Sequence, residues 1–169
     1  VNISSPNTKN LRDLQSKEKL DELLAAIMAR RDALAARTGT VKPLAVKIAP
    51  DLDDEQLAAI AELAVKHRID GLIATNTTIG RKGVETHRHA AEAGGLSGRP
   101  VFAISTEVLR KLSRLLSGRV PLIGVGGVHT GADALAKADA GASLVQLYTG
   151  FIYRGPDLIA EARRALKAA

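Results

Sequence analysis

The 169-residue sequence contains no cysteine and no tryptophan, and aromatic residues make up only 2% of it. Without cysteine there can be no disulfide, no thiolate metal site and no thiol nucleophile, so a base or nucleophile must be sought among hydroxyls, carboxylates, amines and imidazoles. The shortage of rings argues against a nucleic-acid surface built on base stacking, although a net charge of +6 and an isoelectric point near 9.8 would suit phosphate. We read the basicity as serving small anions or a membrane surface. No run approaches the roughly 18 apolar residues of a membrane span. What is present, 46% hydrophobic residues with a mean hydropathy near zero, marks a globular domain with a real core. The sequence begins at Val1 with neither an initiator methionine nor a cleavage signal, and we expect a piece of a longer protein.

Short apolar runs alternate with helical periods. Leu20, Leu23, Leu24, Ile27, Met28 and Leu34 recur in steps of three and four, which predicts an amphipathic helix ending near Gly39. Pro43 to Pro50 reads as a buried strand carrying one charge, Lys47. Asp53 followed by Gln56 predicts a capping box, opening a helix through Leu57, Ile60, Leu63 and Ala64. Further strands are expected at 71–76, 121–127 and 143–148, and helices at about 106–117, 130–139 and 156–168, the second capped by Thr130. Thr77 to Pro100 is a long polar loop holding Gly94-Gly95-Leu96-Ser97-Gly98, and loops of that length tend to carry function. Apolar strands each followed by a crossover helix predict an α/β fold whose parallel sheet is covered on its outer face. About four βα units plus the end of a preceding strand amount to half of a (β/α)8 TIM barrel, with no linker and no second domain. Half a barrel leaves two sheet edges open, so missing N-terminal units are expected.

The uncommon residues gather at the C-terminal ends of the strands: Asn2 and Ser5, Lys47, Thr75 and Asn76, Gly126 and Gly127, Tyr148 and Thr149. In a barrel these ends converge on one mouth. Gly124-Val125-Gly126-Gly127 and, one unit on, Tyr148-Thr149-Gly150 are placed to offer backbone amides to a phosphate; the plainer alternative is that the glycines only make tight turns. Lys47, inside an apolar strand, is either a structural ion pair or a fixed charge facing an anionic ligand. Thr75-Asn76-Thr77-Thr78 is either a turn cluster or a ligand edge. His87 and His89 lack carboxylates that would complete a metal site, His67 ends a helix and His129 follows the glycine loop, so no metal is assigned. Arg30-Arg31 and Arg163-Arg164 read as solvated helix faces.

Six segments, Asn2-Ile3-Ser4-Ser5-Pro6-Asn7-Thr8, Val46-Lys47-Ile48-Ala49-Pro50, Ala74-Thr75-Asn76-Thr77-Thr78, Gly94-Gly95-Leu96-Ser97-Gly98, Gly124-Val125-Gly126-Gly127 and Leu147-Tyr148-Thr149-Gly150-Phe151, stand in an order and at spacings that closely resemble dihydroorotate dehydrogenase. The resemblance is to the C-terminal half of its quinone-dependent, membrane-associated class 2, and it spans essentially the whole sequence. It implies an FMN-binding TIM barrel that oxidises dihydroorotate to orotate in pyrimidine biosynthesis and passes the electrons to quinone. The class rests on one position: class 2 enzymes resemble this sequence in using a serine base, Ser5 here, where the soluble class 1 uses cysteine. The resemblance implies that Ser5 takes a proton from C5 of dihydroorotate while hydride leaves C6 for flavin N5, and that Thr8 relays the proton through water.

By the same resemblance Asn2, Asn7, Asn76 and Thr77 hold the pyrimidine, whose alternating N–H and C=O edge suits amides and hydroxyls. Asn2, Lys47, Thr75, Gly98, Gly127, Tyr148 and Thr149 are implied FMN contacts, Lys47 beside the negative charge of the reduced ring and the last three around the phosphate. A valine at position 127 is accordingly expected to clash with the phosphate. Implied partners are dihydroorotate and orotate, a membrane quinone and the missing N-terminal half, with no nucleic acid. That half would bring a further lysine, more asparagines and a helical extension forming the quinone tunnel and the peripheral membrane contact, so the piece alone is expected to be inactive. The implied location is the cytoplasmic face of a bacterial inner membrane, or the mitochondrial inner membrane in a eukaryote. Two other readings stay open. Another FMN or phosphate-binding barrel would explain Gly126, Gly127 and Tyr148 but not the Asn2-to-Thr8 loop; a noncatalytic basic binding protein would explain the charge but leave the strand-end polar residues without purpose.

Overall fold

The computed structural model describes residues 1–168. Strands β1 (Ala45–Ile48), β2 (Gly71–Ala74), β3 (Leu122–Val125) and β4 (Leu144–Gln146) form one parallel sheet in the order β1-β2-β3-β4. Asn2 bridges Lys47 in parallel, the Lys47 N–H donating to Val1 O at 2.8 Å and the Ile3 N–H to Lys47 O at 3.3 Å. The first residues are thus the end of a further strand outside β1. Neighbours in sequence are neighbours in the sheet, which makes an arc of a (β/α)8 barrel; a doubly wound sheet would reverse its order.

Six α-helices connect and back the strands: α1 (Lys17–Thr38), α2 (Asp54–Lys66), α3 (Phe102–Leu116), α4 (Gly131–Asp139), α5 (Thr149–Arg154) and α6 (Asp157–Ala168). The capping box at α2 is present, Asp53 Oδ1 accepting from the Gln56 N–H at 2.8 Å and Gln56 Oε1 from the Asp53 N–H at 3.0 Å. Thr130 caps α4 through the Asp133 N–H at 3.1 Å. Alternation along the strands sends Val46, Ile48, Leu72, Ala74 and Leu122 to the helix side, where they pack with Leu57, Ile60, Leu109 and Leu112 in one buried core. The other face carries a row in register, Lys47, Ile73, Ile123 and Leu144, and is only partly covered. It is the face that lines a barrel lumen.

Several elements differ from the expectations. The helix expected from about 106 begins at Phe102, preceded by a 3-10 turn over Arg99–Val101 in which Pro100, having no N–H, is at home. Residues 149–154, between the strand expected at 143–148 and the helix expected from about 156, form α5. The long loop has no helix or strand between Thr78 and Leu96, which bridge each other; Arg81 orders it by donating to the carbonyls of Ala90, Glu92 and Gly94 at 2.9, 2.8 and 2.9 Å. Arg31 is not a solvated residue: its side chain is 17% exposed and pairs with Asp70 at 3.0 Å, which also accepts from the Leu44 N–H.

Large apolar residues lie open along the β4 edge and the helices after it: Leu144 is 56% exposed, Ile152 64%, Tyr153 78% and Ile159 51%. Unpaired strand edges flanked by apolar surface associate in water. Residues 1–169 expressed alone should therefore sediment as oligomers or aggregates, and a cooperative, monomeric species in sedimentation velocity would contradict this.

Candidate active site

The strands end on one cleft of about 320 Å³. Lys47, Thr75, Val125 and Gln146, all on the lumen side by parity, reach into it. Its walls are Asn76 and Thr77 after β2, Ser97 and Gly98 from the long loop, Gly126 to Val128 after β3, and Tyr148 to Gly150 after β4. Of the expected flavin residues, Lys47, Thr75, Gly98, Gly127, Tyr148 and Thr149 line this cleft and Asn2 does not. Of the expected pyrimidine residues, Asn76 and Thr77 line it. Ser5, Asn7 and Thr8 stand on the adjoining loop, whose Pro6 and Asn7 lie against Gly95 and Gly94.

Lys47 has no ion pair among the described residues, and burial alone holds its ammonium below the ordinary lysine value. A desolvated, uncompensated cation facing a cavity is stabilised by an anion brought into that cavity. Gly126 and Gly127 have φ of 113° and 77°, which side chains rarely adopt. A Cβ at 126 would lie 2.7 Å from Ser105 Oγ, and one at 127 would lie 2.6 Å from the Phe102 backbone nitrogen. The first turn of α3 therefore requires both glycines before any ligand arrives. A valine at 127 would meet Phe102 whether or not a phosphate is bound, which makes that substitution a poor test of binding. The amides speak more directly: among the described residues the N–H groups of Gly126, Gly127 and Val128 have no acceptor in the chain. Clustered unpaired amides on a cavity wall form an anion site. Across the mouth Thr149 Oγ1 donates to Ser97 Oγ at 3.1 Å. Tyr148 lines the cleft yet is 75% exposed.

The expected pyrimidine end is a small polar network. Asn76 Nδ2 donates to Asn2 Oδ1 at 3.2 Å and to Ser4 Oγ at 3.1 Å, which links Asn2 to the cleft wall. Ser4 is fully buried, its hydroxyl proton shared between Asn2 Oδ1 at 2.8 Å and Lys47 O at 2.9 Å. The neighbouring Ser5 is half-buried; its Oγ accepts from the Asn7 N–H at 3.2 Å, and its own proton has no acceptor among the described residues. Of the two adjacent serines, only Ser5 has an uncommitted hydroxyl.

Sequence reasoning passed over the residues that hold these loops. Arg12 donates to Ser4 O at 3.1 Å, to Thr77 O at 3.1 Å and to Asp51 Oδ2 at 2.8 Å. Asp51 also accepts from the Thr78 hydroxyl and from the Ile79 N–H at 3.2 Å. One guanidinium fork thus joins the loops after three successive strands. An arginine in a polar loop looks solvated; the signal that could have found it is a carboxylate, Asp51, directly after a buried strand. His129 is buried with Nδ1 3.0 Å from Gly127 O, and a carbonyl can only accept, so Nδ1 carries the proton and braces the glycine loop.

The dihydroorotate dehydrogenase family model matches residues 1–169. The chain is 63% identical over 166 residues to the dihydroorotate dehydrogenase (quinone) of Paraburkholderia phymatum, covering 98% of this chain and 48% of that protein. With the protein of the same name from Chromobacterium violaceum it shares 62% over 165 residues, again 98% of this chain and 48% of the relative. Among solved structures, DHODH from Eimeria tenella in complex with ferulenol superposes with a TM-score of 0.91 at 40% identity, over 98% of this chain and 47% of that one. The chain thus spans about half the length of the curated relatives it matches. On the family match, the identity and the shared barrel arc, this chain belongs to the dihydroorotate dehydrogenase family.

Proposed function

We propose that the chain works as the C-terminal half of a (β/α)8-barrel flavoprotein that oxidises dihydroorotate to orotate for pyrimidine biosynthesis and delivers the electrons to a membrane quinone. The observation that carries this reading is the cleft itself, in which an unpaired lysine, unpaired glycine-loop amides and an amide-hydroxyl network meet at the strand ends. These groups fit FMN. Gly126 to Val128 and Thr149 suit its phosphate, Gly98 and Thr75 its approach along the cleft, and Lys47 its ring, where negative charge gathers on reduction. Bound FMN would supply the hydride acceptor.

The chain's own residues then have separate tasks. Asn76 and Thr77, with Asn2 and Asn7 nearby, offer both donors and acceptors to the pyrimidine edge. Ser5 Oγ receives the proton lost from C5 as the hydride leaves C6, the two departures together forming the C5=C6 double bond. An isolated hydroxyl is a weak base, so its own proton must leave as the substrate proton arrives, and Thr8 on the same exposed loop provides a route to solvent. Arg12 and Asp51 keep the Ser5 and Thr77 loops in register so that this transfer has a fixed geometry. The open lumen face and β4 edge fit an N-terminal half that closes the barrel. No helix among the described residues is long and apolar enough to cross a membrane, so membrane contact and quinone access belong in this reading to the other half, at the bacterial inner membrane or its mitochondrial counterpart.

The full-length protein should show oxidised flavin bands that bleach on adding dihydroorotate; a colourless protein would overturn the reading. Ser5→Ala should retain flavin and near-normal dihydroorotate affinity while flavin reduction slows by about 100-fold or more. Stopped-flow reduction at the wild-type rate would remove Ser5 from the base role.

Lys47 generates a test with opposite signs. Its folded value is depressed, so the charged form costs stability at neutral pH, and that cost fades as pH rises into the lysine range. Lys47→Met should leave the apoprotein within about 1 kcal/mol of wild type, on the more stable side, in urea titrations at neutral pH. FMN affinity should meanwhile fall about tenfold. A structural ion pair would instead destabilise the apoprotein and spare the flavin.

A further inference from the structure

Behind the glycine loop, outside the cleft, lies a charge with no evident structural purpose. Lys137 of α4 is 0% exposed and is the largest of the fully buried residues among those described. Its Nζ donates to Ser105 Oγ at 2.6 Å and stands 5.0 Å from the Phe102 ring centroid. No carboxylate reaches it within ion-pair distance among the described residues. Asp133, one turn earlier on α4, draws its proton affinity up, but burial dominates and brings the group down to about 8. Asp133 is itself engaged, accepting from the His129 N–H at 2.9 Å. A buried ammonium held by one hydroxyl and one ring is expensive, and an apolar side chain of the same length would fill the space without that cost.

The hydroxyl points to what it does. Ser105 Oγ lies 3.2 Å from Gly126 O and 3.1 Å from Phe102 O, the two carbonyls to which it can pass its own proton. Gly126 O and the Gly127 N–H belong to one planar peptide and point in opposite directions. A hydroxyl that holds the carbonyl towards α3 therefore turns the amide away from α3, to the side on which Gly127 lines the cleft. Because Lys137 donates into Ser105, the Ser105 proton has only those carbonyls left as acceptors. The positive charge also stands in a dry layer directly behind the amides, where a charge is felt further than in water.

We propose that Lys137 and Ser105 are positioning residues for the phosphate of the cofactor, Lys137 acting through Ser105 to aim the Gly127 amide and adding a buried positive charge behind the loop. This deepens the flavin reading above and rests on it. Neither residue touches the cleft, so their effect should depend on the phosphate and not on the flavin ring.

The test uses apoprotein of the full-length enzyme titrated with FMN and with riboflavin, which lacks the phosphate, followed by quenching of flavin fluorescence. Lys137→Gln keeps a donor to Ser105 without the charge; Ser105→Ala keeps the charge without the link. Each should weaken FMN about tenfold while riboflavin changes by less than about twofold. Unchanged FMN affinity in Ser105→Ala and Lys137→Gln, or equal loss for both flavins, would overturn the proposal by making the pair neutral or merely structural. Should Lys137→Gln fail to fold, Ser105→Ala gives the same comparison alone. A wild-type apoprotein that does not prefer FMN over riboflavin would instead overturn the phosphate-site reading, and this proposal with it.

Discussion

Parallel register governs this molecule. In a parallel ladder the side-chain period of two is shared by all strands, so a row that faces the lumen on one strand faces it on the next. Lys47, Ile73, Ile123 and Leu144 form such a row. Two residues further on, on the same face, come Thr75 just past the end of β2, Val125 of β3 and Gln146 of β4, which reach into the cleft. Slipping one strand by a single position would turn its cleft residue into the helix layer and bring Leu72 or Leu122 into the lumen. The same hydrophobic burial that fixes the helix side, with Val46, Leu72, Leu109 and Leu112 all nearly inaccessible, therefore also fixes which groups can meet a ligand.

Sheet register alone leaves the loops free, and three polar braces remove that freedom. Arg12 with Asp51 ties the Ser4 and Thr77 backbones together, His129 holds Gly127 O, and Lys137 through Ser105 reaches Gly126 O. All three work on backbone carbonyls. A carbonyl fixed on one side leaves the next amide directed to the other, so the His129 and Ser105 braces order the Val128 and Gly127 amides of the cleft without occupying it, while the Arg12 brace fixes the loops beside it. The cost is three polar groups withdrawn from water, which is tolerable because no buried side-chain nitrogen or oxygen among the described residues lacks a partner.

Much of the fold was legible because it depends on local chemistry. Leucine spacing marked α1, the Asp53–Gln56 pair marked the start of α2, and Thr130 marked α4, each a signal complete within a few residues. Helix α5 was not legible: Tyr148-Thr149-Gly150 carries a β-branched residue and a glycine, and the turn forms because Gly150 packs against Val128 O from another unit, where a side chain would collide. In the candidate site, residues with unusual chemistry at strand ends stood out, whereas Arg12 and Lys137 did not. Lysine on a short amphipathic helix looks solvated until α3 is laid across it, and no spacing within the chain records that contact.

The incomplete cover of the lumen links stability to chemistry. On the helix side Val46, Leu72 and Leu122 are sealed, but in the lumen row Ile73 and Ile123 are only half-buried and Leu144 is 56% exposed. Covering that row would bury apolar area at about 25 cal/mol per Å² and would also drain water from the wall that holds Lys47. Removing water would strengthen the field of Lys47 and of the glycine-loop amides, and under the proposed function it would let Ser5 exchange its proton with substrate instead of bulk solvent. A polypeptide that completes the barrel would therefore stabilise the sheet and activate the site by one act of burial. That coupling accounts for a polar mouth built on an apolar floor: the floor drives closure, and closure gives the mouth its electrostatic reach.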